Sequence, residues 1–108
     1  MLNYKFNHKL NVIKISKHET LKHKLAKIFT CIELMDNDID FYTEAIFDSG
    51  HRADIFLPNL KRPVAYEIVV TESDKSIRIK EANYPCKVIK VKAEEVLKYW
   101  KKRIKVLR

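Results

Sequence analysis

The sequence predicts an α/β sandwich built on a small mixed sheet. Three observations carry that prediction. Apolar residues recur at helical spacing over residues 21–35, two short β-type runs flank the only glycine, and the run VAYEIVVT at 64–71 is β-branched and almost wholly apolar.

Brief alternations at the start (Tyr4, Phe6; Leu10, Val12) predict one or two edge strands. Ser16-Lys17-His18-Glu19 reads as a capping box, the serine capping and the glutamate reaching back. Leu21, Leu25, Ile28, Phe29, Ile32 and Met35 then mark a helix that ends at Asp36-Asn37-Asp38. Residues 41–47 and 52–57 form a hairpin across Asp48-Ser49-Gly50-His51. The run at 64–71 reads as a central strand buried on both faces. Residues 72–83 can form a helix with Ile77 and Ile79 inside, closed before Tyr84-Pro85. Residues 87–92 alternate as a further strand, and 93–106 form a terminal helix with Val96, Leu97, Trp100 and Ile104 facing the body. The order is α-β-β-β-α-β-α in one domain, residues 1–108, with a core at about 16–92.

Composition narrows the function classes. The 108 residues are 46% hydrophobic and 33% charged, too apolar for a disordered tail and too charged for a membrane protein. No apolar run approaches the roughly 20 residues that span a bilayer. The first 17 residues lack the continuous apolar stretch of a secretory signal, and two cysteines, Cys31 and Cys86, make no disulfide framework. A reduced, cytoplasmic, single-domain protein is expected. No glycine-rich phosphate loop occurs, so a nucleotide cofactor is not expected.

The net charge of +8 is unevenly placed. Residues 1–27 hold seven lysines against Glu19 alone, residues 28–54 hold seven acids against Arg52, and the remainder carries 14 bases and 6 acids. An acidic middle within a basic chain places carboxylates on a surface that attracts polyanions. On charge alone, a solvated lysine-rich surface with an acidic loop is the better reading.

Glu67 is the anomalous residue, since it sits mid-strand with Ala65 and Val69 on its own face of the pleat. A buried, unpaired carboxylate costs several kcal/mol or takes a proton, so such a position calls for a cation, either a side chain or a metal. Hairpin-like pairing brings Asp54 beside Glu67, and Glu44 lies one strand earlier. Three carboxylates at the centres of three consecutive strands are expected to converge on one spot. Mg²⁺ or Mn²⁺ takes oxygen ligands of this kind, and phosphoryl transfer uses such an ion.

In this order the residues resemble the PD-(D/E)XK nuclease superfamily, and within it the competence-protein CoiA-like branch. The resemblance covers residues 16–85: Ser16 to Lys22, Glu44, Arg52-Ala53-Asp54, Tyr66-Glu67, Thr71, Ser73, Arg78 and Tyr84. It implies a restriction-endonuclease-like α-β-β-β-α-β core and a metal-dependent deoxyribonuclease. It further implies Asp54, Glu67 and the Ile68 carbonyl as metal ligands, with Glu44 binding directly or through water. His18 would lie near the scissile phosphate. The chain departs from the pattern at Val69, where the superfamily has a lysine and the branch a glutamine. Either Lys22 supplies the lysine from the first helix, or catalysis is lost and the DNA surface kept.

The partner implied is DNA. Arg52, Arg78 and the terminal helix, with Lys98, Lys101, Lys102 and Lys105, are the expected phosphate contacts. A homodimer is expected, because 108 residues leave little room for DNA-clasping insertions. The rival readings are a catalytically silent DNA-binding protein of the same fold and a basic structural or assembly protein. His18 and His23 are five apart and diverge around a helix, so no shared metal is expected of them.

Overall fold

The computed structural model describes residues 1–71 and 74–106, with the side chain of residue 74 left aside. Helix α1 (Leu21–Asp36) starts at Thr20, whose Oγ1 accepts the His23 N–H at 3.2 Å. The capping-box expectation is corrected here. Ser16 and Glu19 do pair, Glu19 Oε2 accepting the Ser16 N–H at 2.8 Å, but they close a turn ahead of the helix. Strands β1 (Tyr42–Ile46) and β2 (Arg52–Leu57) form the expected hairpin, with Gly50 supplying a φ of +87° in the turn. Strand β3 (Val64–Val69), helix α2 (Asp74–Asn83), strand β4 (Lys87–Lys92) and helix α3 (Ala93–Val106) follow.

The four strands lie in the order β1-β2-β3-β4, antiparallel across the first three and parallel between β3 and β4. The architecture is thus mixed α/β, as expected from the element order. Pro63 delays β3, and α2 is the crossover that a parallel β3–β4 pair requires. β3 is interior to the sheet. Its Val64, Tyr66 and Ile68 pack with Ala26, Cys31 and Leu34 of α1, while Ala65 packs with Phe47, Phe56 and Tyr84.

Phe29 stacks on Trp100 at 5.1 Å, and Arg103 lies 4.4 Å from the Trp100 ring while bonding Glu33 at 2.8 Å, so α3 docks along α1. Arg103 is therefore engaged within the fold. Two apolar positions expected to face the body do not: Ile79 is 52% exposed and Ile104 43%. At 3.6 residues per turn Ile79 lies about 200° around α2 from the buried Ile77.

The expected opening strands are also corrected. Residues 4–6 form a 3-10 turn, and among the described residues the isolated β-bridge is Leu2 with Phe47. Asn7 and Asn11 take left-handed backbone, φ +49° and +60°, which breaks an extended run. The arm still covers the free edge of β1. Asn3 N–H reaches the Ile46 carbonyl at 2.7 Å, His8 Nε2 accepts the Ile46 N–H at 3.0 Å, and Thr43 bonds the Val12 carbonyl at 2.6 Å. Among the described residues no helix is long and apolar enough to cross a membrane.

Candidate active site

The β2–β3 ladder runs Leu57 with Val64, Phe56 with Ala65, Ile55 with Tyr66, and stops. The next facing pair is Asp54 and Glu67. In place of a ladder bond, Asp54 Oδ2 accepts the Ile68 N–H at 2.8 Å, and the Asp54 and Glu67 carboxyl groups are close enough to shift one another's ionisation. The same point disturbs β2 itself. Ala53 packs in one core cluster and Ile55 in the other, although strict alternation puts them on one face. Across β1, Glu44 faces Asp54 between the pairs Thr43–Ile55 and Ala45–Ala53, with a left-handed φ of +53°. That conformation is an outlier for a strand glutamate, and such strain concentrates at functional sites.

Glu67 is 2% exposed. Tyr84 donates to its Oε1, and Lys80 Nζ lies 3.5 Å from its Oε2. Burial pushes the Glu67 carboxyl up to about 8, the Asp54 charge adding to the effect and Tyr84 and Lys80 opposing it. Burial acts on Asp54 in the same direction, but its bond to His23 and the Ile68 N–H hold it below the usual carboxylate range. At neutral pH the pair therefore shares one proton in the absence of a cation.

Helix α1 supplies the facing wall. His23 and Lys27, one helical turn apart, project toward the sheet on one side, and Glu19, in the turn ahead of the helix, meets both. His23 Nε2 lies 3.3 Å from Asp54 Oδ2, and Nδ1 lies 3.0 Å from Glu19 Oε1 without a hydrogen bond's alignment. The Asp54 bond, followed by the charges of Asp54 and Glu19, raises His23 above its ordinary value against the effect of burial. Lys27 is fully buried and donates to Glu19, to Glu44 Oε1 at 2.6 Å and to the Lys14 carbonyl at 3.2 Å. Burial opposes its charge, yet these two carboxylates hold its ionisation above the ordinary lysine value.

No protein-family model matches the chain, and no curated protein or solved structure matches it. What the site can do rests on its own geometry.

A cavity of about 340 Å³ opens beside Asp54, walled by Glu19, Thr20, His23, Ile68, Val70, Thr71 and Lys80. Among the described residues, the group offering three ligand atoms within 4.8 Å of one another is Glu19, His23 and Asp54. The expected convergence of Glu44, Asp54 and Glu67 is thus half correct. Asp54 and Glu67 meet, but Glu44 is held by Lys27, with Arg52 Nε 3.8 Å from its other oxygen. Its left-handed backbone takes it out of the pleat's alternation.

Lys22 is corrected as well. It is exposed and lines a separate groove with Val69, because it sits one residue, about 100°, around α1 from His23. The lysine beside the carboxylates is Lys80 of α2. His18 is exposed ahead of α1 and its N–H bonds Ser16 Oγ at 3.2 Å, so it does not line the cavity. Arg52, Arg78, Lys98, Lys101, Lys102 and Lys105 are all exposed, as phosphate contacts must be. Ser73, part of the resemblance, lies outside the described residues. Glu19, His23, Lys27 and Lys80 are the site residues that the motif reading passed over. The four-residue recurrence of the first three was the available signal.

Proposed function

We propose that the chain is a divalent-metal-dependent DNA endonuclease with a restriction-endonuclease-like core. The observation that carries this reading is the Asp54–Glu67 pair, set face to face where the β2–β3 ladder opens and short of one positive charge. The strand order, with three antiparallel strands and a parallel fourth, is compatible with the core that the sequence resemblance implies.

The donor set fits a hard cation. Asp54 and Ile68 line the cavity, and Glu67 adjoins Asp54 outside that lining. The two carboxylates and the Ile68 carbonyl would hold Mg²⁺ or Mn²⁺, and Glu19 and His23, which with Asp54 offer three ligand atoms within 4.8 Å of one another, favour Mn²⁺ as an alternative. A bound ion of this type polarises a phosphate and acidifies its water. The chain's own residues do the rest. Tyr84 fixes the Glu67 carboxylate, the Ile68 N–H and His23 orient Asp54, and Lys80 brings a positive charge to the cavity wall. Lys80 takes the charge-stabilising role that Val69 cannot. The Glu19–Lys27–Glu44 network ties α1 to β1 and so keeps His23 opposite Asp54.

A second reading is a silent DNA-binding protein. The observation favouring it is that Lys80 Nζ already lies 3.5 Å from Glu67 and His23 Nε2 3.3 Å from Asp54, so each carboxyl group has a side-chain partner. Mg²⁺ and Mn²⁺ titrations on linear, single-stranded and branched DNA separate the two. Cleavage that is abolished in Asp54→Ala and Glu67→Ala, and lowered on the order of 10²-fold or more in Lys80→Met, supports the nuclease. Absence of cleavage on every substrate, or full activity in Glu67→Ala, refutes it.

A further inference from the structure

A groove of about 710 Å³ lies at the carboxyl ends of β3 and β4, with Val69 and Val70 in its wall. Lysines from three separate elements line it: Lys22 from the first turn of α1, Lys90 and Lys92 from β4, and Lys98 from α3. Val70 also walls the carboxylate cavity, so the groove begins where that cavity ends. Glu94 and Glu95 stand at the α3 end and occupy that helix's N-terminal turn. The four lysines thus line a groove that adjoins the Asp54 cavity at Val70.

The outer lysines of α3 have a different setting. Lys101 and Lys105 flank an apolar cleft with Phe29, Leu97 and Ile104. Only Lys98, of the helix's basic stripe, belongs to the groove that adjoins the site.

We infer that this groove is the seat of the nucleic-acid backbone, with Lys22, Lys92 and Lys98 contacting successive phosphates on the way to the Asp54 cavity. The inference rests on the nuclease reading for its choice of polyanion. Charge complementarity and continuity with the cavity carry it. Regularly spaced phosphates match a row of ammonium groups, each of which acts as a point charge without reading sequence. Lys22, expected at the metal, has this second use, and Val69 forms part of the wall.

The test is fluorescence anisotropy on the full chain in EDTA, with labelled single-stranded and duplex 20-mers, repeated over a KCl series. Lys22→Ala/Lys92→Ala/Lys98→Ala is expected to lose about tenfold or more in affinity. Its log K against log salt slope should fall by about 2 on single strands and about 3 on duplex. The form of DNA held more tightly by the wild type is the one in which this loss must appear. A control variant on an outer face, Lys61→Ala/Arg62→Ala in the exposed loop at the opposite end of β3, should keep wild-type affinity, and Lys22→Arg/Lys92→Arg/Lys98→Arg should match the wild type. Thermal melts check that each variant is folded.

Unchanged affinity and slope in the groove variant, or an equal loss in the outer-face variant, overturns the inference. So does polyglutamate displacing DNA at matched charge, which would assign the groove to an acidic peptide. The two readings fail separately. DNA held in the groove without any metal-dependent cleavage sinks the nuclease alone, and cleavage with an unaffected groove variant sinks the groove alone.

Discussion

Replacing Glu67 by glutamine should make the protein more stable above neutral pH, although the side chain is buried and bonded. The carboxyl is pushed from its ordinary 4.5 to about 8. Between those values the folded chain keeps a proton that the unfolded chain has released, so stability falls as pH rises through this window. The slope is at most about 1.4 kcal/mol per pH unit, which amounts to roughly 3–5 kcal/mol by pH 8–9. Glutamine removes this loss because its amide is neutral at every pH. Its oxygen can still accept from Tyr84, and its NH₂ can donate to Asp54. The two proteins should therefore be about equally stable near pH 5, and the variant should be ahead by ~3 kcal/mol or more at pH 8.5. In melting temperature that is roughly 10 °C. Urea titrations in EDTA at unit steps from pH 5 to 9 read it directly. A difference between the two proteins that does not grow from pH 5 to 8.5, or a glutamine variant that is the weaker protein at pH 8.5, refutes the reasoning.

Lys27→Met leaves Glu19 and Glu44 facing each other without their shared cation, and should cost about 3 kcal/mol or more in urea unfolding at pH 7; a change within 1 kcal/mol would show that the network contributes little. His8 is held below its ordinary 6.5 by burial and then by Lys14, while its Nε2 accepts the Ile46 N–H. Protonation removes that acceptor, so the part of the stability that rests on His8 should be lost as pH drops below about 6.5, opposing the gain from Glu67. His8→Gln, which can accept without titrating, should reduce this loss in melts taken at pH 7.5 and 5.5. An identical acid loss in the variant would place its cause elsewhere.

Much of the fold was legible because its signals are local. The single glycine in Asp48-Ser49-Gly50-His51 marked the hairpin, and the short 58–63 connection brought Asp54 of β2 opposite Glu67 of β3. Residues 87–92 and 93–106 were bounded correctly by the switch from two-residue to helical periodicity. The failures are tertiary in origin. Nothing local to Glu44 announces a left-handed φ in a strand, and that conformation is what separates it from Asp54 and leaves it to Lys27. Lys22 and Lys80 are equally ordinary lysines in the sequence. Which one reaches the carboxylates depends on how α1 and α2 rotate against the sheet. Glu19, His23 and Lys27 did share a readable four-residue spacing. In the sequence Glu19 equally suits a capping box, and the five-residue separation of His18 and His23 hides the role of His23.

The most direct test of the central claim is calorimetric titration of Mn²⁺ and Mg²⁺ into the chelator-stripped protein at pH 7, in two buffers of different ionisation heat. The Asp54–Glu67 pair holds one proton at this pH because burial pushes Glu67 to about 8. Binding of one ion should therefore release up to about one proton, seen as a buffer-dependent enthalpy. Both the binding and the proton release should vanish in Asp54→Asn, and Glu67→Gln should abolish the proton release and weaken the ion. Absence of binding, or an affinity and proton count unchanged by Glu67→Gln, would contradict the assignment of this pair as a cation site.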